Sequence, residues 1–540
     1  MAASLLVAWT PGVAMPLAAA EVLDIHLESL RLPISLEQLE TWSLSKGRRG
    51  ELPQGEANSD LAVWFSLLDG ESQEDLRQLL RATLVRDQGF SRQLLDSWAG
   101  SQMLAEVGRV LTTPTGQSTT PLLRVTLSRL LEERREVSVL ALLRALPEQR
   151  LQLQLDGLLE LAQQWRLELN RQVKALRQLE ALGQLQARPV GADGQAPRGP
   201  EAGRGDQPLR MTVAVPGRPE PLPLEIWKPP PTATPPTATV GLGRRPWLLI
   251  MPGLGGTAEQ MGWLAAALAE QGWPTVVLQH PGSDAVAMRA TLEGLRPPPG
   301  AETLPQRLAD LQAVLSAQKQ GLLPLGPKPD GVVLIGHSLG GVAALLGAGL
   351  PPEVGLERRC KKFVDRLPLT NPSLLLQCQL PRTALPVVFR PTDEIRGVVV
   401  YNSFGSLLWP QRGLGTLPIP VLMVGGSLDL VTPPIAEQLS LFLPVGHDRS
   451  RLVLVDGASH FSPVRVSARE QALLQLGTDL VGASPEAVQT LLLHLTGAFL
   501  KSVEPPPAQG LPPQRLQVGG VKAYVMDGPS AAAWRHRLRP

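Results

Sequence analysis

The sequence predicts an α/β protein: a mostly parallel, doubly wound sheet preceded by an all-α helical domain. Three observations lead there. Six apolar runs, "WLLIMPG", "PTVVLQHPG", "GVVLIGHS", "RGVVVYNS", "IPVLMVGG" and "RLVLVDGAS", are continuous rather than alternating, as strands buried on both faces are. Helical patterns such as "AEQMGWLAAALAEQG" and "LPQRLADLQAVLSAQKQ" fall between them, and that alternation builds a parallel sheet covered by helices. From about Glu21 to Leu185, leucines recur at three and four residues, the period of a helical bundle.

In chain order, residues 1–20 form an apolar stretch ending in Ala18, Ala19 and Ala20, the small-residue pattern that precedes a signal-peptide cut. Export to the periplasm or medium is the expectation it raises. The helical domain is assigned to 21–186. Its first helix start is "ISLEQLETW", where Ser35 is placed to cap, Gln38 to reciprocate and Ile34 to staple. Residues 187–208, dense in Gly, Pro and charge, read as a linker. The α/β domain is assigned to 209–501, with room for a lid at 350–420 around the apolar "NPSLLLQCQLP". A Pro/Gly-rich tail, 502–540, is expected to wrap the surface or stay unstructured.

Composition narrows the function. At 540 residues, 43% hydrophobic and 19% charged, the chain is globular and long enough for several domains. A net charge of +2 without a basic stripe, and 4% aromatic residues, argue against nucleic acid. No run reaches eighteen uninterrupted apolar residues, so no membrane-spanning helix is predicted. Cys360 and Cys378 have neither the spacing nor the histidines of a zinc site, and are read as structural, free or paired.

Chemistry concentrates at "VVLIGHSLGG". A serine between glycines, after a buried strand and before a small-residue helix, suits a sharp turn that lifts its hydroxyl above the sheet. Ser338 is therefore the candidate nucleophile, within Gly336, His337 and Gly340. A serine hydroxyl needs a base, and the base an orienting acid. Of seven histidines, His460 stands just past the end of a predicted strand, and Asp429 follows the strand before it. Two backbone N–H groups are placed to hold a developing oxyanion: that of Leu339, and that of Leu254 in "PGLGGT". Gly253, Gly255 and His280 are read as pocket residues. The glycines lack the Lys-Ser/Thr ending of a phosphate loop.

Residues 246–501, through "PGLGGTAEQMGWLAAALAEQGWPTVVLQHPGSD" and "GHSLGG", resemble the α/β-hydrolase superfamily, in its branch of predicted dienelactone hydrolases and platelet-activating-factor acetylhydrolase-like esterases. The order Ser338, Asp429, His460 is the order of that family's triad. Pro252 stands where the branch usually has histidine. Residues 21–164 are similar to a helical domain of unknown function found ahead of such hydrolases in cyanobacterial proteins. The resemblance implies a serine carboxylesterase or lipase-like hydrolase acting on small or lipid esters through an acyl-enzyme, with no metal or organic cofactor. An amidase or peptidase with the same triad stays open. So does a non-catalytic protein that binds a protein partner through the helical domain.

Overall fold

The computed structural model describes residues 19–27, 30–44, 97–133, 137–154, 170–183, 185–187, 207–230, 245–326, 329–364, 370–380, 394–465, 483–504 and 510–538. It also describes residue 167 and scattered positions between 73 and 95. The chain divides into two units, 1–163 with 292–297, and 164–291 with 298–540.

The larger unit is built on a ten-stranded sheet. Its centre is six parallel strands in the spatial order Thr275–Leu278, Trp247–Met251, Val332–His337, Ile395–Tyr401, Val421–Gly426 and Arg451–Val455. These are the six apolar runs of the sequence, and every residue of five of them is buried. Burial on both faces explains the absence of alternation. The helices Leu304–Lys319, Leu339–Gly347 and Gly528–Arg537 contribute to the core on one face, and Ala258–Glu270 and Pro485–Val503 to the core on the other.

An antiparallel hairpin finishes each edge. Leu209–Val213 and Leu222–Trp227 extend the side beyond Thr275–Leu278. Gln514–Val518 and Val521–Met526 extend the other side beyond Arg451–Val455. The second hairpin corrects the reading of 502–540 as a tail. Gly519 and Gly520, both at positive φ, make the two-residue turn that a strand pair requires. Leu516, Val518, Val521, Ala523 and Val525 are buried along it.

Two boundaries also move. Helical residues 170–180 belong to the larger unit, because Ala175, Leu179, Leu182 and Leu185 lie in its core. Trp534 Nε1 donates to the Ala175 carbonyl at 3.0 Å and Arg515 Nε to that of Leu185 at 2.8 Å. The lid assigned to 350–420 cannot be continuous, because the central strand Ile395–Tyr401 runs through it. What remains is the helix pair Leu356–Val364 and Ser373–Gln379, joined by a Cys360–Cys378 disulfide.

The smaller unit is not all-α. It holds a four-stranded sheet in the order Leu30–Ser35, Val22–Leu27, Arg150–Gln154, Leu111–Thr112, with Val22–Leu27 and Arg150–Gln154 parallel. The helices Leu36–Leu44, Trp98–Val110, Thr120–Glu133 and Val139–Ala145 accompany it. Leu23 and Ile25, and Leu151 with the partly buried Leu153, alternate with polar neighbours, a period-two signal hidden in a leucine-rich stretch. Asp24, fully buried, is held by Arg31 and Arg150. Ser35 Oγ accepts from the Gln38 N–H at 3.4 Å, as its capping role requires. Residues 1–18 and most of 187–208, read from the sequence as leader and linker, lie outside the described residues. No helix among the described residues is long and apolar enough to cross a membrane.

Candidate active site

Strand Val332–His337 ends in a turn that no ordinary residue pair could make. Ser338 sits at φ 52°, ψ −120°, a strained backbone for a residue with a Cβ. A Cβ on Gly336 would lie 2.3 Å from the Gly340 carbonyl oxygen, and one on Gly340 2.1 Å from that of Met251. Only glycine fits at either position. The helix Leu339–Gly347 starts immediately, so the Leu339 N–H is among the first-turn donors that have no intrahelical acceptor.

Asp429 and His460 come from the loops after the next two parallel strands but one, Val421–Gly426 and Arg451–Val455, and both reach Ser338's side of the sheet. His460 Nδ1 lies 2.9 Å from Asp429 Oδ2, and its Nε2 lies 3.1 Å from Ser338 Oγ. An acid that only accepts fixes the tautomer: Nδ1 carries the proton, and Nε2 is left to accept from the serine hydroxyl. Asp429 is fully buried, and among the described residues no arginine or lysine pairs with it. Its Oδ1 accepts from the backbone N–H groups of Val431 (2.8 Å) and Thr432 (2.7 Å), and its Oδ2 from the Thr432 hydroxyl at 2.7 Å.

The His460 loop is tied from behind. Its carbonyl accepts from His337 Nε2 at 2.9 Å and from Asn402 Nδ2 at 3.0 Å, while Asn402 Oδ1 accepts from the Gly426 N–H at 3.1 Å. Asn402, at φ 47°, is the other non-glycine residue at positive φ among those described. Burial, reinforced by His460 nearby, pushes His337 down to about 3, so its ring is neutral and serves as a donor.

The turn after Trp247–Met251 approaches the serine closely. A Cβ on Gly253 would lie 3.2 Å from Ser338 Cβ, so glycine is what lets this backbone in. Leu254 follows it, half-buried against the core, and Gly255, at φ 73°, donates its N–H to the Ser283 carbonyl at 2.8 Å. His280, read from the sequence as a pocket residue, stands three residues before Ser283, this turn's hydrogen-bond partner. It is 2% exposed, its Nδ1 is 2.9 Å from Asp310 Oδ2, and burial with Arg307 beside it pushes it down to about 4. Under the disulfide-linked helices a cavity of about 480 Å³ is lined by Phe363, Leu374, Leu407 and Pro433 with Arg359 and Lys362. None of Ser338, Asp429 and His460 lines it.

Residues 247–472 match the model of an alpha/beta hydrolase family, and residues 19–154 match a second model described as an alpha/beta hydrolase of unknown function. Together they span about two thirds of the chain. Residues 247–472 of this chain belong to the α/β hydrolases. No curated protein matches it significantly. The family implies hydrolysis of a small-molecule substrate. Within this α/β hydrolase, the second match, residues 19–154, falls in the smaller, mixed-sheet unit. Three residues of the site escaped the sequence reading: Asn402, Thr432 in its role on Asp429, and the buried Arg307. The only signal for the first was an asparagine at a strand end, a residue type that tolerates left-handed backbone.

Proposed function

We propose that this α/β hydrolase cleaves carboxylic esters, small or lipid-derived, through Ser338, His460 and Asp429. The observation that carries this reading is the continuous relay from Asp429 through His460 to a serine held on a strained turn. His460 Nε2 takes the hydroxyl proton as Ser338 Oγ attacks the ester carbonyl. The oxyanion is held by the N–H groups of Leu339 and Leu254, and collapse of the tetrahedral adduct expels the alcohol, protonated by His460. A water that gives its proton to the same nitrogen then attacks the acyl-serine, and the acid leaves. Exposed Leu428 and Phe461, chain neighbours of Asp429 and His460, favour an apolar acyl group. The Cys360–Cys378 disulfide favours an oxidising compartment, in line with export. The dienelactone hydrolase and acetylhydrolase-like esterase branch is the corresponding subfamily, and its serine members fit Ser338.

The test is labelling by a fluorophosphonate probe beside Ser338→Ala, with p-nitrophenyl esters of rising chain length and matched anilides. Ester turnover lost in the variant supports the reading. A folded wild type that takes no label sinks it, and turnover of the anilides alone moves the assignment to an amidase.

A further inference from the structure

Arg307 is the most deeply buried cation among the described residues, 1% exposed, in the first turns of the helix Leu304–Lys319. That is a poor place for a positive charge, because a helix N-terminus already carries partial positive charge. Burying a guanidinium without a directly bonded carboxylate is also costly. Burial pulls it down to about 9, opposed by Asp310 and Asp284, so it stays charged at neutral pH. Such a residue is retained where its donors are needed.

Its hydrogen bonds run to two turns. Nη1 donates to the Pro252 carbonyl at 2.7 Å, Nη2 to the Gly253 carbonyl at 2.9 Å and to that of Ser283 at 3.3 Å, and Nε to Ser283 Oγ at 3.0 Å. The Gly255 N–H closes onto the same Ser283 carbonyl. The Gly253–Leu254 peptide is thus held by its oxygen. A trans peptide is planar, so its N–H leaves opposite its C=O, and fixing the Gly253 oxygen fixes the direction of the Leu254 N–H. A cation on the carbonyl also polarises that amide and makes its N–H a stronger donor.

We propose that Arg307 is the positioning residue of the oxyanion site: its guanidinium grips the Pro252 and Gly253 carbonyls from behind and aims the Leu254 N–H at the substrate oxygen. The inference rests on the Ser338 acyl-transfer reading above. Arg307 touches none of Ser338, Asp429 and His460, and acts through the backbone alone. Its rigid planar fork holds both carbonyls and Ser283 at once, a set that a lysine ammonium, with three donors on a flexible stem, reproduces only in part.

The experiment measures kcat and KM on a p-nitrophenyl ester for wild type, Arg307→Met, Arg307→Lys and Ser283→Ala. Alongside it runs the Ki of a trifluoromethyl ketone of matched chain length, which forms an oxyanion on the serine. Loss of one oriented donor lowers kcat about 10²-fold. For Arg307→Met the expected result is that fall, with KM within about twofold and Ki rising in step with the loss of kcat/KM. Arg307→Lys retains the charge and recovers only part of it. A structural role alone moves thermal stability and leaves Ki unchanged, and that result overturns the proposal. Should Arg307→Met fail to fold, Ser283→Ala, which removes one anchor and no charge, still answers: Ki tracking a smaller fall in kcat supports the inference, and unchanged constants overturn it. A wild type with neither label nor turnover overturns the hydrolase reading and this inference together. An active wild type with unaffected variants overturns this inference alone.

Discussion

Two histidine–aspartate pairs lie past the ends of parallel strands in the larger unit, and their geometry is nearly the same. His460–Asp429 and His280–Asp310 each have Nδ1 at 2.9 Å from Oδ2 and each is buried. The difference lies in what surrounds the carboxylate. Asp429 is solvated by neutral donors, the N–H groups of Val431 and Thr432 and the Thr432 hydroxyl, so its charge is undivided. Asp310 faces the Arg218 guanidinium at 2.7 Å, with the Arg307 charge close by. A carboxylate shared with arginines has little left to stabilise an imidazolium. Opposite the rings the contrast repeats: Ser338 Oγ stands at His460 Nε2, whereas His280 Nε2 is buried with no partner among the described residues. A dyad becomes a relay only with an undivided acid on one side and a hydroxyl on the other.

Substitutions sharpen that contrast. Ser338→Ala or His460→Ala should lower kcat by about 10⁶ and leave a folded protein without fluorophosphonate label, read by stopped assay and circular dichroism. Next in size, Asp429→Asn should cost about 10⁴ in kcat, because the amide presents its N–H₂ to Nδ1 and reverses the tautomer. The matching change, Asp310→Asn, should move kcat less than tenfold. It should instead lower urea stability by about 1–3 kcal/mol, since Arg218 loses its buried partner. Equal losses of activity from the two asparagines would erase the distinction.

Acid reports on the His280 pair through stability. His280 falls from 6.5 to about 4 on folding, so between those values the unfolded chain binds the extra proton. Stability is therefore full above about pH 6.5 and declines as pH drops toward 4, by roughly 3 kcal/mol from this group. Urea midpoints across that window should flatten in His280→Asn, and a slope unchanged by the substitution would point to His337 as its source, since His337 is pushed down further, to about 3. The smallest expected effect is that of Thr432→Val, which removes one donor from Asp429 Oδ2 and should reduce kcat only a few-fold, about 1 kcal/mol.

The six central strands were legible because burial on both faces leaves an uninterrupted apolar run. Ser338, Asp429 and His460 were placed by the glycine pattern and by strand ends, and the geometry brings those three side chains together. Other parts left no such trace. The edge hairpin at Gly519-Gly520 has the clearest turn signal in its region, but the prolines of "VEPPPAQGLPPQ" ahead of it outweighed it. The strand Arg150–Gln154 alternates for five residues and is swamped by leucines at a spacing of three and four in the sequence around it. Arg307 sits in "LPQRLADLQAVL", where a charge every few residues describes a solvated helix face. Nothing in one sequence marks that particular arginine as buried.

The hydrogen bonds from Arg515 to Leu185 and from Trp534 to Ala175 join residues 330 and 359 positions apart. At about 5–20 residues per second, a ribosome needs on the order of half a minute between making the first partner and the second. Until then the Ala175 and Leu185 carbonyls lack these donors, and the strand Arg451–Val455, which leads to His460, lacks its antiparallel neighbour. The ten-stranded sheet is completed only once Val521–Met526 has been made, so a chain cut within residues 514–526 leaves it unfinished, however intact Ser338 and its partners are.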